Sequence, residues 1–351
     1  MTDLTERQKM VLMLIVRDHI ESAQPIGSQH LVEHYHLEMS SATIRNEMVA
    51  LTDMGYLRQP HTSAGRVPSE DGYRYFVTHL MHPIDLPETV QHTISHQFYE
   101  ARAEVEQWMT LAASVLAHQS QAVSMVTAPH AEKARFKHVE LISTQGRQVL
   151  MVLVMLGGEV SQQILTLAEP VTQGRFSEVA AHINQAFQGR SADEVNSLAT
   201  HFDALETDIA TLIAQDMRRA EALVGGDLYY DGLTNVLSEP EFNATDEGRR
   251  TLRLFEERST LQDMLSRTTQ NSGVGGVQVL IGGEGTWEEL RQCSMILARY
   301  GISGQVTGTL GILGPMRMPY TRTIPTVRYV AALLSDLVSD TFAVEQTNDQ
   351  T

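Results

Sequence analysis

Five residues in the stretch SSATIRNEM have side chains that could contact DNA: Ser40, Ser41, Thr43, Arg45 and Asn46. An arginine guanidinium matches the two acceptors of guanine, and an asparagine amide matches adenine in the same bidentate way. Short hydroxyl side chains let a helix approach the major groove, and the free N–H groups at a helix start attract a phosphate oxygen. The stretch therefore predicts a DNA-reading helix. The alternative is an ordinary helix in which the serines only cap and Arg45 and Asn46 are solvated.

A second set of candidate DNA contacts follows in the stretch GYLRQPHTSAGRVP. Its pattern predicts two short strands joined by a tip rich in proline and glycine. We expect Gly65 to let the tip turn and Arg66 to project beyond it, into a narrow minor groove or onto phosphate. Arg58, His61 and Ser63 are further candidates for contacts with the DNA. The alternative is an ordinary solvated hairpin.

Capping residues and apolar spacing predict the helices that would position these residues. Thr5 and Gln8 have the spacing of a capping box and predict a first helix that continues to about Ile20. The stretch SAQPIGS contains a proline and a glycine and should end it. Ser28 is then expected to cap a short second helix that runs through Tyr35.

The third predicted helix carries the candidate base contacts. Ser40 or Ser41 is expected to cap it, and it should end near Met54. At 100° per residue, three apolar residues lie within about 60° of one another and form a core-facing stripe: Ile44, Met48 and Leu51. A hairpin follows, and Ser69 is expected to begin a further helix. Two helices joined by a turn and followed by a hairpin predict a winged helix-turn-helix.

The charge of the chain is unevenly distributed along its 351 residues, which carry a formal net charge of −17. Residues 191–247 contain thirteen acidic residues against two arginines, whereas residues 40–66 have a net charge of +1. Contact with phosphate is therefore possible locally, although the overall charge lowers non-specific affinity for nucleic acid. The single Cys293, the lack of a long apolar run and the lack of a signal peptide predict a cytoplasmic protein without membrane contact.

Beyond the predicted winged helix, the pattern indicates three further regions. Residues 86–120 have near-heptad apolar spacing and predict a linker helix, which could dock on the next domain or pair with a second chain. Short apolar runs separated by turns predict an antiparallel meander in residues 121–190, and further strands around a helix at about 286–299. The acidic, mainly helical residues 191–247 lie between these strands and read as an insertion into one α+β domain.

No spacing in the sequence predicts a catalytic site, so we expect neither enzyme activity nor a cofactor. His30, His34 and His36 could ligate a metal, although histidines exposed on a small helix are the simpler interpretation. The turn IGGEG lacks both the full dinucleotide-binding fingerprint and the Lys-Ser/Thr of a P-loop. Cys293 belongs to an apolar pattern and is expected to be a buried small side chain.

Several of these stretches resemble one protein family. ESAQPIGS and SSATIRNEMVALTDMGYLRQPHTSAGRVPSEDGYRYFV are similar almost residue for residue to the heat-inducible transcription repressor family, HrcA. VQVLIGGE, GTLGILGPMRMPY and the segment that begins TIPTVRYVA resemble the closing signature of the same family. The resemblance extends from about Leu4 to Leu334, and residues 191–247 are its divergent part.

The resemblance implies an α+β multidomain fold. It implies a winged-helix DNA-binding domain at residues 1–85 and a linker helix at residues 86–120. A discontinuous GAF-like antiparallel-sheet domain is implied at residues 121–190 and 248–345, with an inserted, mainly helical dimerisation domain at residues 191–247. No metal or other ligand is implied for the GAF-like domain.

The resemblance also implies function and partners. Members of this family bind CIRCE, an inverted repeat in double-stranded DNA upstream of chaperone operons, as homodimers and repress transcription. A GroEL-type chaperonin keeps the repressor active, and unfolded proteins compete for that chaperonin during heat shock. The implied location is the bacterial cytoplasm, on the nucleoid when bound. Carried over by position, major-groove contacts fall on Ser41, Thr43, Arg45 and Asn46, and wing contacts on His61, Ser63 and Arg66.

A regulator of another kind remains open at this point. A meander flanked by helices can enclose a pocket, so the GAF-like domain could sense a small molecule and gate DNA binding.

Overall fold

The structure is a computed structural model that describes residues 4–62, 64–82, 85–101, 104–131, 134–156, 159–200, 202–222, 227–242, 261, 265, 268, 273–282 and 290–348. Helices and antiparallel sheets are mixed in it. The chain divides into two compact units. The first unit comprises Met1–Ala128, Asp227–Tyr300 and Thr309–Leu337, and the second comprises Pro129–Gly226, Gly301–Gly308 and Val338–Thr351.

Three helices open the first unit: α1 (Glu6–Ser22), α2 (Ser28–Tyr35) and α3 (Ser41–Asp53). The predicted capping box of α1 is confirmed, because the Thr5 side chain accepts from Gln8 N and the Gln8 side chain accepts from Thr5 N. The predicted cap of α2 is wrong. Ser28 is its first helical residue, and the preceding Gly27 has no side chain with which to cap.

A short antiparallel ribbon follows α3 and is formed by β1 (Leu57–Arg58) and β2 (Val67–Pro68). The predicted hairpin is therefore confirmed. Gly65 allows a close backbone contact rather than the predicted turn at the tip. A Cβ at this position would lie 2.3 Å from the carbonyl oxygen of Ile26. Ile26 and Arg66 form an isolated antiparallel bridge at this close approach. Glycine thus lets the ribbon lie against the segment that joins α1 to α2.

The helix expected after Ser69 is present and changes its geometry part-way. Ser69 caps α4 (Glu70–Tyr75) by accepting from Gly72 N at 3.1 Å. The chain then continues as a π-helix, Phe76–Leu80, in which Met81 N donates to Phe76 O at 2.9 Å.

The linker region predicted as one helix at residues 86–120 forms two helices, α5 (Glu88–Glu100) and α6 (Val105–Ser120). Ala101, the C-cap of α5, and Glu104, the N-cap of α6, both have extended backbone angles. The two helices contact each other, and α6 also packs on the sheet of the first unit.

Five strands of the first sheet occur in the order β8-β3-β11-β10-β9: β3 (Val123–Thr127), β8 (Leu228–Asp231), β9 (Val277–Ile281), β10 (Cys293–Ile302) and β11 (Val306–Pro315). The helix predicted at residues 286–299 is wrong over the residues of β10. Cys293 is buried as expected, but in a strand. Two helices complete this part of the described chain: α10 (Leu233–Ser238) and α11 (Tyr320–Asn348).

The second unit contains a three-stranded antiparallel sheet, β5 (Phe136–Ser143), β6 (Gln148–Met155) and β7 (Val160–Thr166). Three helices follow: α7 (Gln173–Phe187), α8 (Ala192–Ala199) and α9 (Ala204–Ala222). A two-residue strand, β4 (His130–Ala131), pairs with Val306 and Thr307. One hydrophobic core extends from Ala134 to Met217 and joins the sheet to all three helices. The compact unit thus begins near residue 129, whereas the insertion was predicted to begin at residue 191.

Within the described part of the chain, no helix is long and apolar enough to cross a membrane.

Candidate DNA-binding surface

The two faces of α3 differ sharply in exposure. Three apolar side chains are buried against α1 and α2, as the sequence predicted: Ile44, Met48 and Leu51. Arg45 and Asn46 are exposed, and Val49 on the same side of the helix is 42% exposed. The buried stripe therefore fixes which side of α3 faces outward, and the forked side chains lie on that side.

The start of α3 is organised by hydroxyl groups. Ser40 is the N-cap, and its Oγ accepts from Thr43 N at 3.2 Å, which settles the choice between Ser40 and Ser41. The Ser40 and Thr43 hydroxyls are also 2.9 Å apart. Ser41 is the first helical residue and is half-buried. The positive end of the helix dipole lies at this hydroxyl pair, where an anion would be stabilised.

Glu47, the acidic residue next to Arg45 and Asn46, forms an ion pair with Arg7. Glu47 is half-buried, and its Oε1 is 3.4 Å from Arg7 Nη1 of α1. This pair neutralises the carboxylate next to the exposed side chains. A phosphate backbone that approached α3 would therefore meet less repulsion.

The other candidate residues for DNA contact belong to the ribbon that follows α3. Arg58 on β1 and His61 near the tip are exposed, while Ser63 lies outside the described residues. Gln59 holds the tip, because its Nε2 donates to Thr62 O at 2.9 Å and to Ala64 O at 3.1 Å. Arg58 and His61 are thus presented from a backbone that a side-chain amide restrains.

Arg66 does not project beyond the tip as predicted. Its Nε donates to Thr52 Oγ1 of α3 at 3.0 Å, and its side chain is half-buried. Thr52 in turn donates to Met48 O at 2.7 Å. The reason is geometric: the bridge to Ile26 places Arg66 at the base of the ribbon, within reach of the last turn of α3. Arg66 therefore ties the ribbon to α3.

A buried carboxylate lies beneath the helices. Asp18 is 6% exposed and accepts from His30 Nε2 at 2.9 Å and from the Tyr35 hydroxyl. Burial, together with this hydrogen bond to Asp18, raises the pKa of Tyr35 to about 12. Two of the histidines considered as possible metal ligands contact other groups, since His30 bonds Asp18 and stacks on His34 with ring centroids 5.3 Å apart. Among the described residues, no cluster of histidine, cysteine and carboxylate side chains could hold a metal ion.

A second buried network lies where α1 meets α4. His19 Nδ1 is 2.7 Å from the Tyr73 hydroxyl, and the Tyr73 ring is 6.2 Å from that of Tyr320 at the start of α11. Burial, and next the charge of Arg317, lower the pKa of His19 to about 4. Arg317 is itself paired with Glu239 and with Glu241, whose Oε1 is 2.6 Å from Arg317 Nε. The contact of Tyr73 with Tyr320 connects the N-terminal helices to the start of α11 within the first unit.

Three residues that support this surface were not identified from the sequence. Thr52 positions Arg66, Gln59 restrains the ribbon tip, and Asp18 anchors α2 on α1. Thr52 has no periodic signal in the sequence, because Arg66 reaches it only through the tertiary fold. Gln59 bonds carbonyl groups three and five residues along the chain, a contact that no periodic pattern marks. Asp18 is an acidic residue inside an apolar run, MVLMLIVRD, and a buried charge there would have needed a partner.

The chain is similar to several known proteins. A family model described as the HrcA protein C-terminal domain matches residues 106–324. The heat-inducible transcription repressor HrcA of Roseiflexus castenholzii is 42% identical, over 98% of this chain and 97% of the relative. Its counterpart in Herpetosiphon aurantiacus is 41% identical, over 97% of both chains. A crystal structure described only as that of a hypothetical protein has a TM-score of 0.61 and 23% identity, and the match covers 97% of this chain and 100% of the other. That likeness indicates a shared fold.

Proposed function

Because the chain belongs to the HrcA family of heat-inducible transcription repressors, we propose that it represses transcription by binding an inverted repeat in double-stranded DNA as a homodimer. The observation that carries the proposal is the exposure of Arg45 and Asn46 on α3, outside its buried stripe. The DNA element is of the CIRCE type, upstream of chaperone operons.

Helices α2 and α3 with the ribbon form the winged helix-turn-helix of this proposal. The major groove admits one α-helix, and α3 presents a guanidinium fork and an amide there. Its capped start lies close to a DNA phosphate, where the helix dipole favours an anion. Arg45 and Asn46 read base edges, and the Ser40 and Thr43 hydroxyls contact the backbone.

The ribbon is the wing. Arg58 and His61 are exposed and contact the sugar–phosphate backbone or the adjacent minor groove, as would Ser63. Arg66 has a positioning role in addition to any DNA contact, because its hydrogen bond to Thr52 sets the distance between wing and recognition helix. Losing that bond would weaken binding even where the base contacts of α3 are unchanged.

Two-fold symmetry requires a self-association surface, and the second unit provides an apolar one. The outer face of the β5-β6-β7 sheet exposes Ile142 (45%), Val160 (52%) and Ile164 (67%). Leu150 pairs with both Ile142 and Ile164 in the strand register, so these side chains form a row across the sheet. Such exposed patches mark interaction sites. We assign dimerisation to this unit, which includes much of the predicted insertion at residues 191–247.

Dimerisation is part of the DNA-binding mechanism. An inverted repeat presents two half-sites related by a two-fold axis, so two recognition helices must be held at a fixed spacing. The region from residue 40 to residue 66 has only three arginines and no lysine, which is a small electrostatic contribution for one module. Two linked modules gain effective concentration and reach the affinity that one lacks.

A GroEL-type chaperonin regulates the repressor in this proposal. A partner that favours the folded state raises the share of competent repressor by mass action, and occupying that partner with unfolded proteins lowers it. Operator footprinting with and without chaperonin tests this step. We expect protection to increase with chaperonin, and equal protection at matched repressor concentration would exclude it.

The recognition helix is tested by Arg45→Ala in a gel-shift titration on a CIRCE-type repeat. Loss of a bidentate base contact should weaken binding by ~1–3 kcal/mol, which is roughly 5–150-fold. Arg218→Ala is the matched control, since Arg218 is exposed in the second unit and pairs there with Asp193 at 2.9 Å. Equal affinity of Arg45→Ala and wild-type protein, with circular dichroism unchanged, would show that α3 is not the recognition helix.

A further inference from the structure

A cavity of about 450 Å³ lies within the first unit, between α1, the π-helix and the start of α11. Its apolar wall includes Ile20 from α1, Phe76 and Leu80 from the π-helix, and Pro319 before α11. The volume falls in the range of sites that hold small molecules, and such sites are mostly apolar with a few polar groups. The cavity does not coincide with the meander, where the sequence analysis placed a possible ligand pocket.

The backbone geometry at the cavity is unusual. Phe76–Leu80 is a π-helix, and its Met81 N to Phe76 O bond spans five residues. π-helical turns are rare and occur frequently at functional sites, because the extra residue widens the helix and re-aims side chains. Here three residues of the wide turn and its end line the cavity: Phe76, Leu80 and Met81. The π-helix and the cavity volume are independent observations, and both indicate a functional site at this position.

The polar groups that line the cavity favour a negatively charged ligand. Arg17 is exposed, and within the described part of the chain its guanidinium makes no hydrogen bond or ion pair. His82 and Thr321 also line the cavity, so its polar lining contains three residues with donor groups and one carboxylate, that of Glu21. An arginine fork matches the planar geometry of a carboxylate, and charge-assisted pairs of this kind are the stronger hydrogen bonds. The rim therefore suits an anionic head group above an apolar floor.

We propose that this cavity binds a small amphipathic carboxylate of the medium-chain fatty acid class. Its chain lies against Phe76 and Leu80, and its carboxylate pairs with Arg17. The occupant contacts both α1, which supports the DNA-reading helix, and the segment that begins α11. Binding would therefore favour one arrangement of these elements within the first unit.

Calorimetric titration of the full-length chain with decanoate tests the site, with decylammonium as the probe of opposite charge. We expect one decanoate per chain. Arg17→Gln should weaken decanoate binding by ~10–100-fold, which is the effect of losing one charge-assisted pair. Arg7→Gln is the control, because Arg7 is an exposed arginine of the same helix that pairs with Glu47 outside the cavity.

Three results would overturn the proposal. Tighter binding of decylammonium than of decanoate would show that Glu21 sets the charge preference of the cavity and that its ligand is a cation. Equal weakening by Arg17→Gln and Arg7→Gln would show that the fatty acid binds the surface through general charge. Absence of binding to wild-type protein at millimolar decanoate would exclude the site. None of these measurements includes DNA, so each result is independent of the proposed repressor function.

Discussion

Replacing Gly65 with alanine would force apart two segments that touch through their backbones. The new Cβ would lie 2.3 Å from the carbonyl oxygen and 2.4 Å from the carbonyl carbon of Ile26. Both atoms belong to the backbone, so no side chain can rotate to relieve the overlap. The ribbon must therefore move away from the α1–α2 connection.

The size of the effect follows from the bonds at that contact. Ile26 N donates to Arg66 O at 2.9 Å, and Arg66 N donates to Ile26 O at 2.8 Å. Each such bond contributes ~0.5–1.5 kcal/mol, so losing both amounts to ~1–3 kcal/mol. This free energy corresponds to roughly 5–150-fold more frequent local opening. Displacing Arg66 also removes its bond to Thr52 and moves the ribbon relative to α3.

Hydrogen–deuterium exchange of the peptides that contain Ile26 and Arg66 measures this opening. Exchange should be faster in Gly65→Ala by the factor above, and affinity for the operator should fall with it. Gly174→Ala is the control, because a Cβ there has no neighbour within 4 Å and the residue lies in the second unit. If exchange at both peptides were unchanged in Gly65→Ala, the close approach would not hold the ribbon in place.

Three further predictions concern other parts of the chain. Asp18→Ala leaves the Tyr35 hydroxyl and His30 without their acceptor, and denaturant titration should show a loss of ~1–3 kcal/mol in unfolding free energy. Burial lowers the pKa of His19 from 6.5 to about 4, so the unfolded chain takes up a proton that the folded chain refuses. Stability should therefore fall as the pH drops from 6.5 to 4, by ~1–2 kcal/mol for this partly exposed ring, and His19→Gln should flatten that decline in thermal melts. Ile164→Glu should shift sedimentation towards the monomer if the exposed sheet face pairs two copies, whereas an unchanged dimer would place the interface elsewhere.

The N-terminal helices were predictable because each carries local signals. Thr5 and Gln8 specify the start of α1, Ser40 specifies the start of α3, and the spacing of Ile44, Met48 and Leu51 specifies its buried face. These signals depend only on residues within about one or two turns of one another. The exposure of Arg45 and Asn46 follows from the same spacing, so the central part of the candidate site could be predicted.

Strand β10 was mistaken for a helix for a physical reason. Its residues Cys293 to Ala298 are apolar except for Ser294, and all six are buried. A strand that is covered on both faces loses the alternation of apolar and polar residues, and a short apolar run then fits either period. Periodicity alone could not separate the two structures.

The position of Arg66 and the start of the second unit were not predictable from local spacing. Arg66 reaches Thr52 only because the Ile26 bridge places the base of the ribbon beside α3. The strands of residues 136–166 look like part of one long meander in sequence, yet their buried sides share a core with α7 to α9. Which sheet a strand joins depends on pairing between residues far apart in the chain. Local spacing in the sequence does not indicate such pairing.

The strand order of the first sheet also dictates when it can be completed during synthesis. Strand β3 has β11 as its neighbour, with Val126 opposite Leu310, so nearly the whole chain must leave the ribosome before this central pair can form. Contacts so distant in sequence form slowly and leave apolar strands unprotected meanwhile. Under the proposal that a chaperonin sustains this repressor, the chain with these strands still unpaired is the state on which the chaperonin would act.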